Sequence, residues 1–365
     1  RCEGDHWGAV DLAEEAVEAF RTKKAQEEEA AAWVALCRAK LQRGSVDSDQ
    51  AVAKARQMLQ DVPADQALAK GFSHVIAAEA AMAMKEYSKA MWAAKVAVHC
   101  FRDRDAMAQA SALLLLSSAA KKSSCFREAV FAAEMAAVTA RTSREVIFEA
   151  LATRLGSEAL LRLGEAQQAA KLAEESVALF KAAGNYVQQV EVLVLAAEAH
   201  LHRVKQREGN AQRSSLIAWA SRALDLANQA LTLKQSRDQE ARAWLLKAQA
   251  AKAAGNLQKA LEDAREAELM MTDCSNRQGV ASALLLQAQV KTLMGNDSEA
   301  ASLTTQAQAL SKTSFEGWQD MPVKSPATVT TLQGFGDIQK SWDEHIHFSF
   351  SGLQGRPVSN VVRGK

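Results

Sequence analysis

The sequence predicts an all-α solenoid, a row of stacked helix pairs, followed by a tail of a different material. Three observations predict it. Alanine occurs 74 times in 365 residues, and 73 of those alanines lie in residues 1–311. Proline is almost absent from the same stretch, with Pro63 the only one before Pro322. One alanine also recurs, at Ala9, Ala51, Ala90, Ala129, Ala169, Ala220, Ala260 and Ala300, with spacings of 42, 39, 39, 40, 51, 40 and 40 residues. Many alanines with few prolines and aromatics suit closely packed helices and argue against a β-sandwich or an α/β enzyme. A fixed period of this size is the mark of a repeat architecture.

Each recurring alanine sits on a stripe. Four residues on, six of the eight positions are alanine, among them Ala13, Ala94 and Ala264. Seven residues on stand Ala16, Met58, Ala97, Ala136, Ser176, Ala227, Ala267 and Ala307. Offsets of zero, four and seven share one helical face, and a face of methyl groups lets a second helix approach closely. Five residues before the alanine, glycine stands at Gly4, Gly164, Gly255 and Gly295. Glycine takes up the left-handed geometry that ends one helix before another begins. Each unit therefore reads as helix, tight turn, helix. The first helices are expected over 26–42, 65–84, 104–121, 144–163, 186–204, 238–254 and 277–294, and the second over 6–20, 48–60, 87–101, 126–140, 166–182, 215–232, 257–271 and 297–311.

Gly295-Asn296-Asp297-Ser298-Glu299-Ala300 and Gly255-Asn256 through Ala260 resemble the turn and small-residue box of tetratricopeptide repeats. Trp244 with Ala248, and Trp33 with Cys37, resemble that family's bulky-then-small pair in the first helix. Phe20, Phe101 and Phe180 end three second helices near where the family places a large apolar residue. The resemblance covers residues 1–311 and departs from the common repeat of roughly 34 residues and from its closing proline. Both departures fit the longer-repeat branch, as in kinesin light chains. An unrelated α-solenoid is the alternative.

The resemblance implies binding through a concave groove lined by first helices. Aligning on the recurring alanine, the groove positions are Arg38 and Glu79 in the first two first helices, and Lys122, Glu158 and Arg162 in the next two. Glu198 and His202 follow in the fifth, and Arg242, Gln249, Lys252 and Gln289 in the last two. The set mixes signs, and most of its members are expected to be ordinary solvated residues. It lacks the lysine- and asparagine-rich clamp with which chaperone-binding relatives hold a terminal carboxylate.

Both ends of the array are unusual. The chain opens on a second-type helix, at Arg1, so either residues precede it or another protein covers that end. The 51-residue interval holds an extra eleven residues near Arg203-Val204-Lys205-Gln206-Arg207-Glu208-Gly209-Asn210. These form either a longer helix pair or a protruding loop, and as a loop either a binding element or a solvated one.

Residues 312–365 are the second expected domain. They hold one alanine, six glycines and three of the four prolines. Their large apolar side chains, Phe315, Trp318, Phe335, Trp342, Phe348 and Phe350, are widely separated. A strand at His345–Phe350 would put Ile346, Phe348 and Phe350 on one face. Such a segment either caps the last repeat or runs along a partner, anchored by its aromatics. The partner is the favoured reading, because 54 residues is long for a cap.

Little else suggests chemistry. No phosphate loop, dinucleotide fingerprint, nucleophile elbow or His-Glu-x-x-His string is present. Asp343, Glu344, His345 and His347 form the only dense ligand-type cluster, and a polar strand face explains it better than a metal. Forty-four basic against 43 acidic residues give a net charge of +1, which disfavours nucleic acid. No stretch approaches the roughly 18 apolar residues a membrane span needs. Five dispersed cysteines, without a Cys-x-x-Cys pair, point to a reducing compartment: cytoplasm, plastid stroma or mitochondrial matrix side. The sequence thus predicts a non-catalytic scaffold without metal or cofactor. It would bind other proteins as a peripheral or accessory subunit of a larger assembly, one version being an organelle membrane complex, photosynthetic or respiratory. A sensor or regulator module of a longer protein is the alternative, and an all-helical enzyme ranks last.

Overall fold

The computed structural model describes residues 67–207, 212–233 and 236–313, with isolated positions between 15 and 36. Of the expected helix 6–20 only residues 15–19 are described, as helix; 48–60, most of 26–42, Arg38 and the tail beyond residue 313 lie outside the described residues. Val17, Ala32 and Leu36 are nevertheless buried together, with Ala16 and Trp33 against them, as a helix pair there requires.

From Ala67 to Thr313 the described chain is a succession of helices without a strand: α1 (Ala67–Ala83), α2 (Tyr87–Phe101), α3 (Ala106–Lys122), α4 (Phe126–Thr142), α5 (Val146–Leu163), α6 (Ala166–Ala182), α7 (Tyr186–Arg207), α8 (Arg213–Thr232), α9 (Arg237–Ala253), α10 (Leu257–Asp273), α11 (Arg277–Leu293) and α12 (Asp297–Thr313). Each packs on the next in sequence. The odd-numbered helices, which are the first helices of the repeats, also touch one another from repeat to repeat, and the even-numbered ones do not. The array therefore curls with its first helices on the inner side. No helix of the described residues is long and apolar enough to cross a membrane.

The alanine stripe is the inter-helix seam. Ala90, Ala129, Ala169, Ala220 and Ala260 are all fully buried, as are Ala97, Ala136, Ala227 and Ala267 seven residues on. Where the seam on the facing first helix is a serine, it bonds the recurring alanine itself. Ser117 Oγ donates to the Ala129 carbonyl at 2.8 Å, and Ser157 Oγ to that of Ala169 at 2.8 Å. Larger groups are matched by smaller ones. Phe101 at the end of α2 lies over Gly71, where a Cβ would come within 2.6 Å of its ring. Phe180 packs in one cluster with Ala150, and Met271 with Ala241.

The turns repeat as closely as the helices. In the α5–α6, α9–α10 and α11–α12 turns, Gly164, Gly255 and Gly295 have φ of 83°, 87° and 81°. The next residue's N–H reaches back five positions, as from Asn256 to Ala251 (2.9 Å) and from Asn296 to Lys291 (2.9 Å). That residue is also the N-cap of the following helix, and the Asn256 side chain accepts from the Lys259 N–H at 3.3 Å. One residue pair thus closes one helix and opens the next. The same geometry is held without glycine by Lys85 (φ 61°), Ser124 (φ 63°) and Arg144 (φ 60°). The glycines that mark the turn in sequence are thus only some of its instances.

Much of the extra eleven residues goes into a longer helix pair. α7 has 22 residues and α8 has 20, against 17 in α9. Relative to α9, α7 is five residues longer and α8 three, about one added turn on each.

Candidate interaction surface

The inner face carries lateral pairs. Lys121 on α3 pairs with Glu158 on α5. Glu158 also lies 3.6 Å from Arg154, which reaches Glu191 on α7 at 3.0 Å. Farther along, Lys252 Nζ on α9 donates to Gln289 Oε1 on α11 at 2.7 Å. Each bond between helices joins residues 37 apart. Residues 40 apart occupy equivalent positions, so a 37-residue step links a side chain to one about a turn lower on the next first helix.

The expected groove residues divide accordingly. Glu158, Lys252 and Gln289 belong to the lateral pairs. Glu198 and His202 face each other along α7 at 4.0 Å. Glu79 and Gln249 are half-buried, and Lys122, Arg162 and Arg242 are exposed. Lys121 and Arg154 balance Glu158 and Glu191, so that part of the face offers no strong field of one sign.

Sequence reasoning missed a polar cluster beside it. His200 is buried, and its Nε2 lies 3.0 Å from Glu174 Oε1 on α6. Arg222 on α8 donates to the same oxygen at 2.8 Å. Arg203 lies 3.5 Å from His200 Nδ1, with its guanidinium 4.4 Å from the centre of the Trp219 ring. Burial lowers the His200 pKa, against the pull of Glu174. Burial also pushes Glu174 up, but the hydrogen bonds from Arg222 and His200 outweigh it and leave its carboxyl below the usual range. The cluster is filled by its own partners and clamps α6, α7 and α8 together. Elsewhere, burial and the nearby Lys70 push His74 down to about 4. Among the described residues no group of three His, Cys, Asp or Glu side chains could hold a metal ion, and His345 and His347 lie outside them.

A second missed feature is apolar. Met107, Ile147 and Val187 are the second residues of α3, α5 and α7, at one repeat position, and they are 36%, 46% and 63% exposed. Val146 and Tyr186, the first residues of α5 and α7, add 39% and 61% exposure. In α9 and α11 the same position holds Asp238 and Gln278. The apolar edge thus runs over three repeats and stops. Its signal was present in the sequence as a 40-residue spacing between 107, 147 and 187.

No protein-family model matches the chain, and no curated protein matches it. Solved structures share its fold. One is a signal-transduction ATPase with numerous domains and a tetratricopeptide repeat sensor, from Pyrococcus horikoshii, with a TM-score of 0.61 and 16% identity. That match covers 86% of this chain and 48% of the other, so the chain spans about half the length of the ATPase. Another is aspartyl phosphate phosphatase F from Bacillus subtilis, with a TM-score of 0.50 and 11% identity over 85% of this chain and 76% of that one. The fold is therefore a tetratricopeptide-like helical repeat.

Proposed function

We propose that this chain is a non-catalytic protein–protein interaction scaffold, a peripheral or accessory subunit of a larger assembly. The observation that carries the reading is the apolar edge on three consecutive repeats. Ile147, Val187 and Tyr186 leave about half or more of their surface in water at one repeat position, and exposed apolar surface of this kind marks a contact surface. The balanced Lys121, Arg154, Glu158 and Glu191 charges on the inner face agree with a structural contact rather than with capture of a charged small molecule.

The tail, residues 312–365, is proposed as a second contact, with Phe315, Trp318, Phe335, Trp342, Ile346, Phe348 and Phe350 as anchors. A few large side chains can dominate an interface, each worth about 1–3 kcal/mol on truncation. Removing residues 314–365 should weaken assembly and leave the melting of the repeats unchanged. Trp342→Ala and Phe348→Ala should each do part of that damage, and Ser359→Ala none. Loss of repeat stability without loss of assembly would make the tail a cap instead.

The test of the reading as a whole is the native mass of the protein in extracts of its source. A scaffold subunit should sediment well above the 39.4 kDa of this chain. A monomer throughout would contradict the proposal. The second reading, a sensor or regulator module, takes its interest from the fold shared with the ATPase that carries a repeat sensor. It predicts an effector domain encoded in the same open reading frame.

A further inference from the structure

The array shows what it lays across a helix pair. On α9 and α10, the next first helix α11 sets Val290 in one cluster with Leu261, Leu286 with Ala264 and Ala248, and Ala283 with Ala267 and Ala241. Leu245 of α9 packs into the same contact, against both the Ala264 and the Ala267 groups. One repeat on, the positions of Leu245, Leu261 and Ala264 are held by Leu285, Ala301 and Thr304. Their helices, α11 and α12, pack side by side through Ala281, Leu284 and Ala307. Among the described residues no helix follows α12. Leu261 is 4% exposed and Ala264 fully buried, whereas Leu285 is 42% exposed, Ala301 is exposed and Thr304 is half-buried. The side that carries the next repeat on α9–α10 therefore meets water on α11–α12.

The chemistry of this pair also differs from that of the pair before it. Residues 278–290 and 300–310 hold no charged side chain, whereas the equivalent 238–250 and 260–270 hold nine. Hydroxyls on α12 are satisfied within the helix. Thr304 Oγ1 donates to the Ala300 carbonyl at 2.8 Å, and Thr305 Oγ1 to that of Ala301 at 3.0 Å. A repeat that faces water keeps a polar outer face. Here the open side has an exposed leucine, an exposed alanine and no charge, which suits a covered surface better than a solvated one.

We propose that the open side of the α11–α12 pair, at Leu285, Ala301 and Thr304, docks the uncharged apolar face of an α-helix from a partner protein, laid where the array would place its next first helix. This rests on the reading of the chain as an interaction scaffold, and it uses helices other than those of the apolar edge. Continuity with the contact between repeats makes the occupant a helix. The lack of charge on 278–290 and 300–310 disfavours an acidic or a basic segment. Ala301 in place of Leu261 leaves room, so the docked helix carries a larger side chain where α11 carries Val290. A second copy does not supply that helix from its own α11, whose Ala283, Leu286 and Val290 are buried in its own array.

The experiment uses the full purified chain and a fluorescent synthetic peptide of residues 277–293, the α11 sequence, carrying Val290→Phe. The wild-type chain should bind this peptide at least threefold more tightly than the peptide without the change. Leu285→Glu, Ala301→Glu should weaken the binding at least tenfold. Ala178→Glu, Leu269→Glu, an equal charge change at exposed positions on α6 and α10, should alter it by less than twofold. Should the first variant fail to fold, Ala301→Gln lengthens an exposed side chain without charge and should weaken binding at least threefold. No binding, equal binding of the two peptides, or binding indifferent to Leu285 and Ala301 would overturn the proposal. A dimer of the purified chain that Leu285→Glu, Ala301→Glu dissolves would overturn it in favour of a second copy. Peptide binding seen only when Trp342→Ala, Phe348→Ala is made in the full chain would overturn it in favour of the chain's own tail. Failure of the peptide arm leaves the scaffold reading standing, whereas a monomeric wild type in source extracts defeats that reading.

Discussion

The turn geometry makes a two-sided prediction. Gly255 has φ of 87°, and a Cβ placed on it would meet nothing within 4 Å. Gly255→Ala therefore creates no clash, and its cost is conformational alone. An L-residue pays about 1–2 kcal/mol in the left-handed region, and roughly 0.4–1 kcal/mol is recovered because alanine also narrows the unfolded ensemble. The net loss should be about 1 kcal/mol. Lys85 and Ser124 stand at the same point of the repeat with φ of 61° and 63°. The reverse changes, Lys85→Gly and Ser124→Gly, should each stabilise the protein by about 0.5–1 kcal/mol. At roughly 2–4 °C per kcal/mol for a domain of this size, the shifts are readable by calorimetry. Gly71→Ala provides the contrast, because its backbone is ordinary and its cost comes from the Phe101 ring 2.6 Å away. Phe101→Leu should relieve part of that cost and should do nothing for Gly255→Ala. If Gly255→Ala is neutral, or if Lys85→Gly destabilises, the shared left-handed turn is wrong.

Two further outcomes follow from burial. Ala264 is fully enclosed with Ala248 and Leu286, so Ala264→Glu puts an unpaired carboxylate in the seam and should cost several kcal/mol in a thermal melt. An unchanged melt would mean that the repeat register is misplaced. His74 titrates near 4 in the fold, because of burial and Lys70, against 6.5 unfolded. As pH falls from 6.5 to 4 the unfolded chain takes a proton that the native one refuses, so stability declines, by about 3 kcal/mol at most. His74→Phe keeps a ring against Trp92 and should remove that part of the slope between pH 7 and 4 in urea titrations. An equal slope in both proteins would count against a buried neutral imidazole.

The helices were legible because one alanine face recurs. The expected 87–101 and 166–182 coincide with α2 and α6, and 104–121 misses α3 by only two residues at one end and one at the other. The same reasoning did not reach the lateral pairs. It compares positions 40 apart, whereas Lys121–Glu158 and Arg154–Glu191 form at 37, a step set by how neighbouring first helices are offset. Nor did it reach the Glu174–His200–Arg222 cluster, whose members come from three helices and share no spacing that recurs. The non-glycine turns were missed for a plainer reason. Lysine, serine and arginine carry no signal for a left-handed backbone, which at Lys85, Ser124 and Arg144 is imposed by the packing on both sides. The apolar edge was legible and unread, because attention to the buried stripe passes over the second residue of each helix.

The central claim, that the array exposes an apolar edge in order to hold another protein, is tested most directly by the double variant Ile147→Glu, Val187→Glu. Ile147 is 46% and Val187 63% exposed, and neither belongs to the buried core, so the substitutions should leave the melting temperature within a few degrees of wild type. The measurement is the native mass of this variant in source extracts beside that of the wild-type chain. The account predicts that the variant falls to the monomer position while the wild type stays in its assembly. A variant that melts normally and remains fully assembled would contradict it.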